Sequence, residues 1–499
     1  MKTETKNAMR EETLDPEDWE SMRKLGHRMI DDMLDYMKTI RERPVWQPIP
    51  EQIKIHFRKP LPHDPQRPEE IYKEFVEKVL PYNMGNIHPR FWGWAMGTGN
   101  LMGAFAEMLA ASMNTNSGGG ENADSSFHVE KQVIEWIKDM LGFPASASGL
   151  LTSGCSAANL IGLAVARNTK AGYDLRRNGL QATRRKMMVY ASKETHSSIQ
   201  KALELLGLGS DALRLVPVND YFQIDLQDLK TTITKDRKNG YLPFCVVGAA
   251  GTINTGGIDD LNALADVCQR ENLWLHVDGA CGAWAALAPN AKSKVAGMER
   301  ADSLAVDLHK WMYMPFEIGC ILVRNEEYHR KAFSLTSDYL PHGQNMRGIL
   351  GGDSPWLSDY GFQLSRGFRA LKAWMSIKEH GSRKYGRLIQ QNMNQAHYLS
   401  GLIKSQPELQ LSAPVTLNVV CFRYVAPGMN DGALNELNKQ IVIELQEQGN
   451  VVLSGTIIKD KYVMRAGIMN HRSRLKDFDV LVREVIRVGK KLASSTKNA

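Results

Sequence analysis

Leu273-Trp274-Leu275-His276-Val277-Asp278-Gly279-Ala280 is the stretch of sequence that decides the fold. A mainly apolar run ends in an acid and two small residues, which is typical of a strand that is buried on both faces. Similar short apolar runs occupy residues 187–190, 244–247, 303–306 and 320–323. Helical segments, such as residues 199–206 and 261–268, separate several of them. The alternation predicts an α/β fold with a mostly parallel sheet that helices cover on both faces.

The segments on either side of this region differ from it. Asp15-Pro16 predicts a helix that begins with Asp15 as its cap. Residues 43–68 hold seven prolines, which break helices and predict an extended connector. After about residue 385 the strands and helices are mixed, as in a smaller α+β domain. We therefore expect an N-terminal helical and extended arm over residues 1–100, a large domain over 101–385 and a small C-terminal domain over 386–499.

The composition excludes several classes of protein. The 499 residues include 62 Lys and Arg against 55 Asp and Glu, and the net charge of +7 is spread without a long basic run. This charge favours anionic ligands slightly and gives no nucleic-acid footprint. No secretory signal or membrane span is predicted. The six cysteines form no CxxC pair, so we expect no zinc or other metal site, no disulfide framework and a cytoplasmic location.

The residues that carry chemistry follow the predicted strands. Asp278 follows one strand, His309-Lys310 another, and Gly251-Thr252 a third, whereas a small-residue turn over 152–159 precedes a helix. Because parallel strands end at one edge of a sheet, these groups should converge there. A lysine amine can form a Schiff base with an aldehyde, a carboxylate can hold a pyridine nitrogen protonated, and a helix N-terminus can bind phosphate. Pyridoxal phosphate chemistry needs all three groups.

Two motifs carry a family resemblance, His276-Val277-Asp278-Gly279-Ala280 and Asp307-Leu308-His309-Lys310-Trp311. With Thr195-His196-Ser197-Ser198 and the segment 366–372, they resemble the group II pyridoxal-phosphate-dependent amino acid decarboxylases of fold type I. The resemblance runs from about residue 88 to 472 and is closest to the aromatic-L-amino-acid branch and its bacterial relatives. It implies a large cofactor-binding domain with a seven-stranded sheet and a small C-terminal domain. It also implies a homodimer with active sites at the interface, in which the N-terminal arm packs on the partner.

The resemblance assigns roles to individual residues. Lys310 would form the Schiff base, Asp278 would pair with the pyridinium nitrogen, and His196 would lie over the ring. Tyr339, in a lid loop that continues over 341–353, would protonate the substrate carbon. In relatives that form aldehydes this position is typically phenylalanine, so Tyr339 favours simple decarboxylation to an amine and CO₂. The further residues expected at the cofactor are Gly154, Cys155, Ser156, Thr252, Ala280, Asp307 and His309.

The sequence leaves the substrate open. An aromatic L-amino acid is favoured, with Trp92, Trp94, Met96 and Gly97 as candidate substrate contacts. Several positions depart from the aromatic branch: Gly97 replaces a threonine, Gly118-Gly119-Gly120 replace bulky aromatic residues, Ile253 replaces a threonine and Asp307 an asparagine.

Three alternatives remain at this point. An acidic amino acid would need a cation, for which Arg90 is a candidate. The second alternative is a decarboxylating aldehyde synthase, and the third is a cofactor-binding scaffold without catalysis. Arg465, His471 and Arg472 would either reach the substrate carboxylate or support the fold.

Overall fold

The computed structural model describes residues 12–182, 185–335 and 347–497, and the chain forms two compact units, Met1–Gly85 and Asn86–Ala499. The first unit contains helices α1 (Trp19–Lys38), α2 (Glu51–His56) and α3 (Pro68–Glu74). Helix α1 starts later than expected, because the cap is Asp18, whose side chain accepts from the backbone N–H groups of Glu20 and Ser21. The prediction that Asp15 caps this helix was therefore wrong. In the described part of the chain, no helix is long and apolar enough to cross a membrane.

The second unit is built around a seven-stranded sheet with the order β1-β7-β6-β5-β4-β2-β3. Strands β2 to β6 pair in parallel, and β7 is antiparallel to both β1 and β6. The sheet is therefore mostly parallel, as expected. Its strands are β1 (Ser148–Thr152), β2 (Met187–Ser192), β3 (Leu213–Val216), β4 (Leu242–Ala249), β5 (Trp274–Asp278), β6 (Ser303–Asp307) and β7 (Gly319–Val323).

Helices surround this sheet, and their apolar sides join its buried side chains in one large core. A strand covered on both faces is apolar along its whole length, which explains the continuous runs in the sequence. The helices that accompany the sheet are α4 (Leu101–Met113), α5 (Ser125–Leu141), α6 (Cys155–Lys170), α7 (Leu175–Asn178), α8 (Ser197–Leu205), α9 (Leu226–Lys238), α10 (Leu261–Arg270) and α11 (Glu326–Phe333).

The C-terminal part has its own sheet and its own core. Helix α12 (Ala370–Lys404), which bends at Gly381, leads into an antiparallel sheet of order β10-β11-β9-β8. An earlier segment also joins this part, because Phe91 bridges Val452 and the backbone N–H of Trp92 donates to the Val452 carbonyl. The remaining elements are β8 (Leu409–Leu411), β9 (Val419–Tyr424), α13 (Asp431–Glu447), β10 (Ser454–Ile458), β11 (Lys461–Gly467) and α14 (Leu475–Lys497).

The strand register places the chemistry at one edge of the large sheet. Ala249, Asp278 and Ala305 are neighbours on β4, β5 and β6, and Asp307 lies two residues beyond Ala305. Strand β1 leads directly into the N-terminus of α6. The edge therefore combines carboxylates with a helix N-terminus.

Candidate active site

A cavity of about 390 Å³ lies at this edge of the sheet. It combines a lysine, several carboxylates, two histidines and the start of α6. Its lining consists of residues 153–156, 194–196, 249, 251–253, 278, 280–281, 307, 309–310 and 316–317. All of the residues expected at the cofactor belong to this lining, so the structure brings them together.

Lys310 is held by Asp307 inside the cavity. Its Nζ lies 2.8 Å from Oδ2 of Asp307, and the side chains are 18% and 3% exposed. Burial by itself disfavours the ammonium, but the carboxylate outweighs this effect and raises the pKa of the Lys310 amine. In return, the lysine overcomes the burial of Asp307 and lowers the pKa of its carboxyl. The two groups therefore form a buried ion pair.

The same acid reaches the N-terminus of α6. Oδ1 of Asp307 accepts the backbone N–H of Cys155 at 2.7 Å. Gly154, the cap residue, lies close to His309, because a Cβ at position 154 would be 3.2 Å from Cε1 of that ring. The Nδ1 atom of His309 lies 2.9 Å from the Ile318 carbonyl, and burial lowers the pKa of the imidazole. A small residue at 154 thus lets His309 approach the helix end.

Asp278 is fixed at the end of β5 by two donors. The backbone N–H of Ala280 donates to Oδ1 and the Asn159 amide to Oδ2, each at 3.1 Å. His196 lines the cavity from the start of α8, and Nδ1 of its ring lies 2.8 Å from Oγ of Ser198. Partial burial lowers the pKa of His196.

The turn after β4 contributes Thr252 and Ile253. The hydroxyl of Thr252 is used within the turn, where it lies 3.1 Å from Oγ1 of Thr255 and accepts the N–H of Gly257. Ile253 adds an apolar side chain to the cavity lining. Its replacement of threonine thus leaves the turn hydrogen bonds in place.

The candidate substrate contacts do not line the cavity. Trp92 is buried in the core of the C-terminal part, where it stacks on Phe478 at 4.8 Å and donates to Ser473. Trp94 is 52% exposed and Met96 is half-buried. The structure therefore gives no support, within one subunit, to a pocket wall made by Trp92, Trp94 and Met96.

Gly97 approaches the cavity from behind the lysine segment. A Cβ at this position would lie 1.9 Å from the His309 carbonyl oxygen and 2.5 Å from that of Lys310. The threonine of the aromatic branch has no space in this backbone, and Gly97 allows the close approach. Its place is behind the lysine and not in the cavity lining.

The three consecutive glycines also occupy tight positions. A Cβ at Gly118 would lie 1.9 Å from the Leu364 carbonyl, and one at Gly120 would lie 2.6 Å from the indole of Trp356. The bulky aromatic residues found here in the aromatic branch would collide with this packing.

None of the other expected residues is among the described residues that line the cavity. Tyr339 lies outside the described residues. Arg90, His471 and Arg472 are not among the described residues that line the cavity, and His471 and Arg472 contact the backbone carbonyls of residues 98 and 99. Arg465 is buried and donates to the carbonyls of Asn254 and Trp94, while its Nη2 has no hydrogen-bond partner among the described residues.

Sequence reasoning missed several residues of this site. Glu194, Cys281, Phe316 and Glu317 line the cavity, and Asn159 supports Asp278 from behind. Glu194 directly precedes the motif that begins at Thr195, and Cys281 directly follows the motif that ends at Ala280. Asn159 lies one helical turn after Cys155, so both face the same side of α6. The signal was therefore present in the helical spacing.

These residues fit pyridoxal phosphate. A lysine amine, a carboxylate supported by two hydrogen bonds, and a helix N-terminus with small residues at 153–156 surround one cavity. Lys310 would bind the aldehyde carbon, Asp278 the ring nitrogen, and the start of α6 the phosphate.

A family comparison decides the identity. Residues 50–425 match the model of the pyridoxal-dependent decarboxylase conserved domain. This chain belongs to that family. It is accordingly a pyridoxal-phosphate-dependent carboxy-lyase.

Individual proteins agree with the family assignment. The decarboxylase is 33% identical over 461 residues to an aromatic-L-amino-acid decarboxylase of Bacillus atrophaeus. This alignment covers 92% of this chain and 93% of the relative. It is 26% identical to tryptophan decarboxylase 2 of Oryza sativa subsp. japonica, over 92% of each chain. The crystal structure of Oryza sativa TDC with PLP and tryptamine superposes with a TM-score of 0.88 at 23% identity, covering 96% of this chain and all of that one. At this level of identity, the similarity to the crystal structure supports the fold alone.

Proposed function

We propose that this decarboxylase converts an aromatic L-amino acid to its amine and CO₂, with Lys310, Asp278, His196 and Tyr339 as its catalytic residues. The observation that carries the proposal is the Lys310–Asp307 ion pair in a cavity that Asp278 also lines. When it is bound, pyridoxal phosphate supplies a ring that takes up the electrons released as CO₂ leaves.

The protein groups have separate tasks in this reaction. Asp307 holds the Lys310 amine in place, and the amine must lose one proton before it can bond to the aldehyde carbon. Asp278, oriented by Ala280 and Asn159, would hold a proton on the ring nitrogen of the bound cofactor. His196, which lines the same cavity, would lie over the ring, and Tyr339 would deliver a proton to the substrate carbon.

The charges around the cavity support an uncharged substrate side chain. Among the described lining residues, Lys310 is the only lysine or arginine, and Glu194 and Glu317 are additional acids. An acidic substrate side chain would meet these carboxylates without a dedicated cation, whereas an aromatic ring would not be repelled.

Arg465 supports the backbone beside this site. It is buried, donates to the carbonyls of Asn254 and Trp94, and is not among the described residues that line the cavity. We therefore assign Arg465 to support of the fold and not to the substrate carboxylate.

A substrate panel tests the proposed activity. Purified protein with added pyridoxal phosphate is incubated with tryptophan, tyrosine, phenylalanine, aspartate, glutamate and cysteine sulfinate, and CO₂ and the organic product are measured. We expect CO₂ and the corresponding amine from at least one aromatic substrate. Turnover of only the acidic substrates, or release of aldehyde with ammonia and hydrogen peroxide, would overturn the proposal.

We also propose that the enzyme is a cytoplasmic homodimer with active sites at the subunit interface. Leu101, Met108 and Met113 on α4 are exposed, and so is Phe316 at the cavity. A second copy would cover such an apolar surface. Residues 1–100 would then pack on the partner as an arm, alongside a large domain over 101–385 and a small domain over 386–499.

Light scattering tests this assembly. We expect an active species with twice the 56.0 kDa mass of the chain. An active monomer would contradict the interface site. The six cysteines are all free and buried, which supports a reducing compartment, and cell fractionation tests the location.

A further inference from the structure

Strand β5 carries a histidine inside its apolar run. His276 is fully buried, and its Nδ1 and Nε2 atoms lie 2.8 Å from Oγ of Ser303 and 2.9 Å from Oδ1 of Asn159. The indole N–H of Trp274 donates to the same Ser303 oxygen at 2.8 Å. The four side chains form a continuous hydrogen-bonded chain in the core.

This chain divides at Asn159. One N–H of the amide donates to Oδ2 of Asp278 and the other to Oγ of Ser198, each at 3.1 Å. The Ser198 hydroxyl and backbone N–H lie 2.8 Å and 3.2 Å from Nδ1 of His196. One buried amide thus connects the acid expected at the ring nitrogen with the histidine expected over the ring.

The chemistry at its two ends determines the direction of the chain. The indole of Trp274 can only donate, and the carboxylate of Asp278 can only accept. Ser303 therefore accepts from the indole and donates onward to His276. This leaves the proton of His276 on Nε2, facing the Asn159 oxygen. Any other arrangement would leave a buried polar atom without a partner.

The same reasoning assigns the proton on His196. Ser198 accepts from the Asn159 amide, so its hydroxyl hydrogen points to Nδ1 of His196. The backbone N–H of Ser198 donates to that nitrogen as well. A neutral His196 therefore carries its proton on Nε2.

We propose that Asn159 is a positioning residue that orients Asp278 and selects the tautomer of His196 through this one hydrogen-bonded chain. The inference rests on the proposed function, which gives Asp278 and His196 their roles. It goes further because it makes the two groups dependent on one buried amide and, through it, on His276 and Ser303.

A second buried serine–histidine pair provides a matched control. Oγ of Ser148 lies 2.9 Å from Nδ1 of His329, which is also fully buried, and neither residue lines the cavity. Ser148→Ala and Ser303→Ala remove the same hydroxyl from the same kind of pair. Only the second change breaks the proposed chain.

The first experiment measures cofactor affinity by titrating the apoenzyme and following visible absorbance. We expect Asn159→Leu to raise the dissociation constant of pyridoxal phosphate tenfold to hundredfold, the range for losing a hydrogen bond to a charged group. Ser303→Ala should shift it in the same direction by a smaller factor, and Ser148→Ala should leave it within twofold. Ser198→Ala, which breaks only the branch to His196, should also leave it within twofold while lowering kcat.

The second experiment is read on the wild-type protein, and variants serve only to assign its signals. Nitrogen NMR of the histidine-labelled apoenzyme, with signals assigned by His276→Asn and His196→Asn, should show both rings protonated on Nε2. Protonation of either ring on Nδ1 would overturn the proposal.

The outcomes distinguish a failure of the proposed function from a failure of the positioning role of Asn159. If the wild-type protein binds no pyridoxal phosphate, the proposed function is wrong. If it binds the cofactor and Asn159→Leu binds it equally well, the proposed function stands and the positioning role of Asn159 is wrong. If Ser148→Ala weakens binding as much as Ser303→Ala, the effect is general destabilisation and the chain has no special role.

Discussion

Replacing Asp307 with asparagine should speed the capture of pyridoxal phosphate by the apoenzyme. The substitution keeps the size of the side chain and the oxygen that accepts the Cys155 N–H. It removes the negative charge 2.8 Å from the Lys310 amine and presents an N–H₂ group in its place. Only the unprotonated amine can bond to an aldehyde carbon. Because the variant stabilises the Lys310 ammonium less, a larger fraction of Lys310 is in the reactive, neutral form.

The magnitude follows from the geometry. Two unit charges 2.8 Å apart attract each other by about 6 kcal/mol at an effective dielectric constant of about 20. Water and side-chain relaxation recover much of this energy, and a hydrogen bond to a charged group contributes about 1.5–3 kcal/mol net. Since ~1.4 kcal/mol is a factor of ten, we expect the fraction of neutral amine to rise about tenfold to hundredfold in Asp307→Asn.

Stopped-flow absorbance after mixing apoenzyme with pyridoxal phosphate measures the effect across a range of pH. The wild-type rate should keep rising with pH, because the carboxylate raises the pKa of the Lys310 amine, whereas the variant should reach its plateau at a lower pH. Asp302→Asn is the control, since Asp302 is also largely buried and accepts the Leu275 N–H. The same pH profile for Asp307→Asn and wild type would refute the reasoning, even if the variant were uniformly faster through weaker repulsion of phosphate.

Four further predictions test other parts of the molecule. Gly97→Ala should weaken pyridoxal phosphate binding about tenfold, because strain of ~1–3 kcal/mol falls on the lysine segment; unchanged binding in a titration would contradict this. Arg366→Leu should lower the unfolding free energy by about 3–5 kcal/mol, because it leaves the buried carboxylate of Glu130 unpaired; equal urea midpoints would disprove it. Burial lowers the pKa of His329 to about 3, below its ordinary 6.5, so the unfolded chain takes up a proton at a higher pH than the folded protein and the free energy of unfolding decreases as the pH falls from 6.5 to 3. His329→Phe should therefore remove about 2–3 kcal/mol of the stability that the wild type loses between pH 7 and pH 4.5. Urea unfolding that shows the same loss in the variant and the wild type would contradict this prediction. Tyr339→Phe should change the main product from amine to aldehyde, as judged by chromatography and a peroxide assay, and continued amine formation would show that another group donates the proton.

Much of the large sheet could be predicted from the sequence, because strands covered on both faces are apolar without interruption. Strands β2, β4, β5, β6 and β7 lie where such runs occur. Strand β3 was missed, since it lies at the edge of the sheet and three of its four residues are partly or fully exposed. The antiparallel direction of β7 was also not predictable, because a fully buried strand has the same pattern in either direction.

The positions of the aromatic residues before α4 depended on contacts that the sequence does not reveal. Trp92 reads as a candidate pocket residue next to Trp94, but the backbone around it pairs with Val452, far away in the chain. That pairing places its indole in the core of the C-terminal part, against Phe478. Local pattern gives the residue type, whereas long-range pairing decides which cavity or core the side chain enters.

The buried polar residues offered a signal that can be used on sequence alone. A histidine within an apolar strand must find partners, because an unpaired buried imidazole costs free energy. His276 precedes Asp278 by two residues, so both side chains leave β5 on the same face. Counting the hydrogen-bond donors and acceptors on that face shows that His276 and Asp278 need a polar partner between them, and Asn159 fills this place. The polar residue that breaks the apolar pattern of a core strand is thus evidence for a second layer behind the acid, and its sequence position indicates which catalytic group that layer supports.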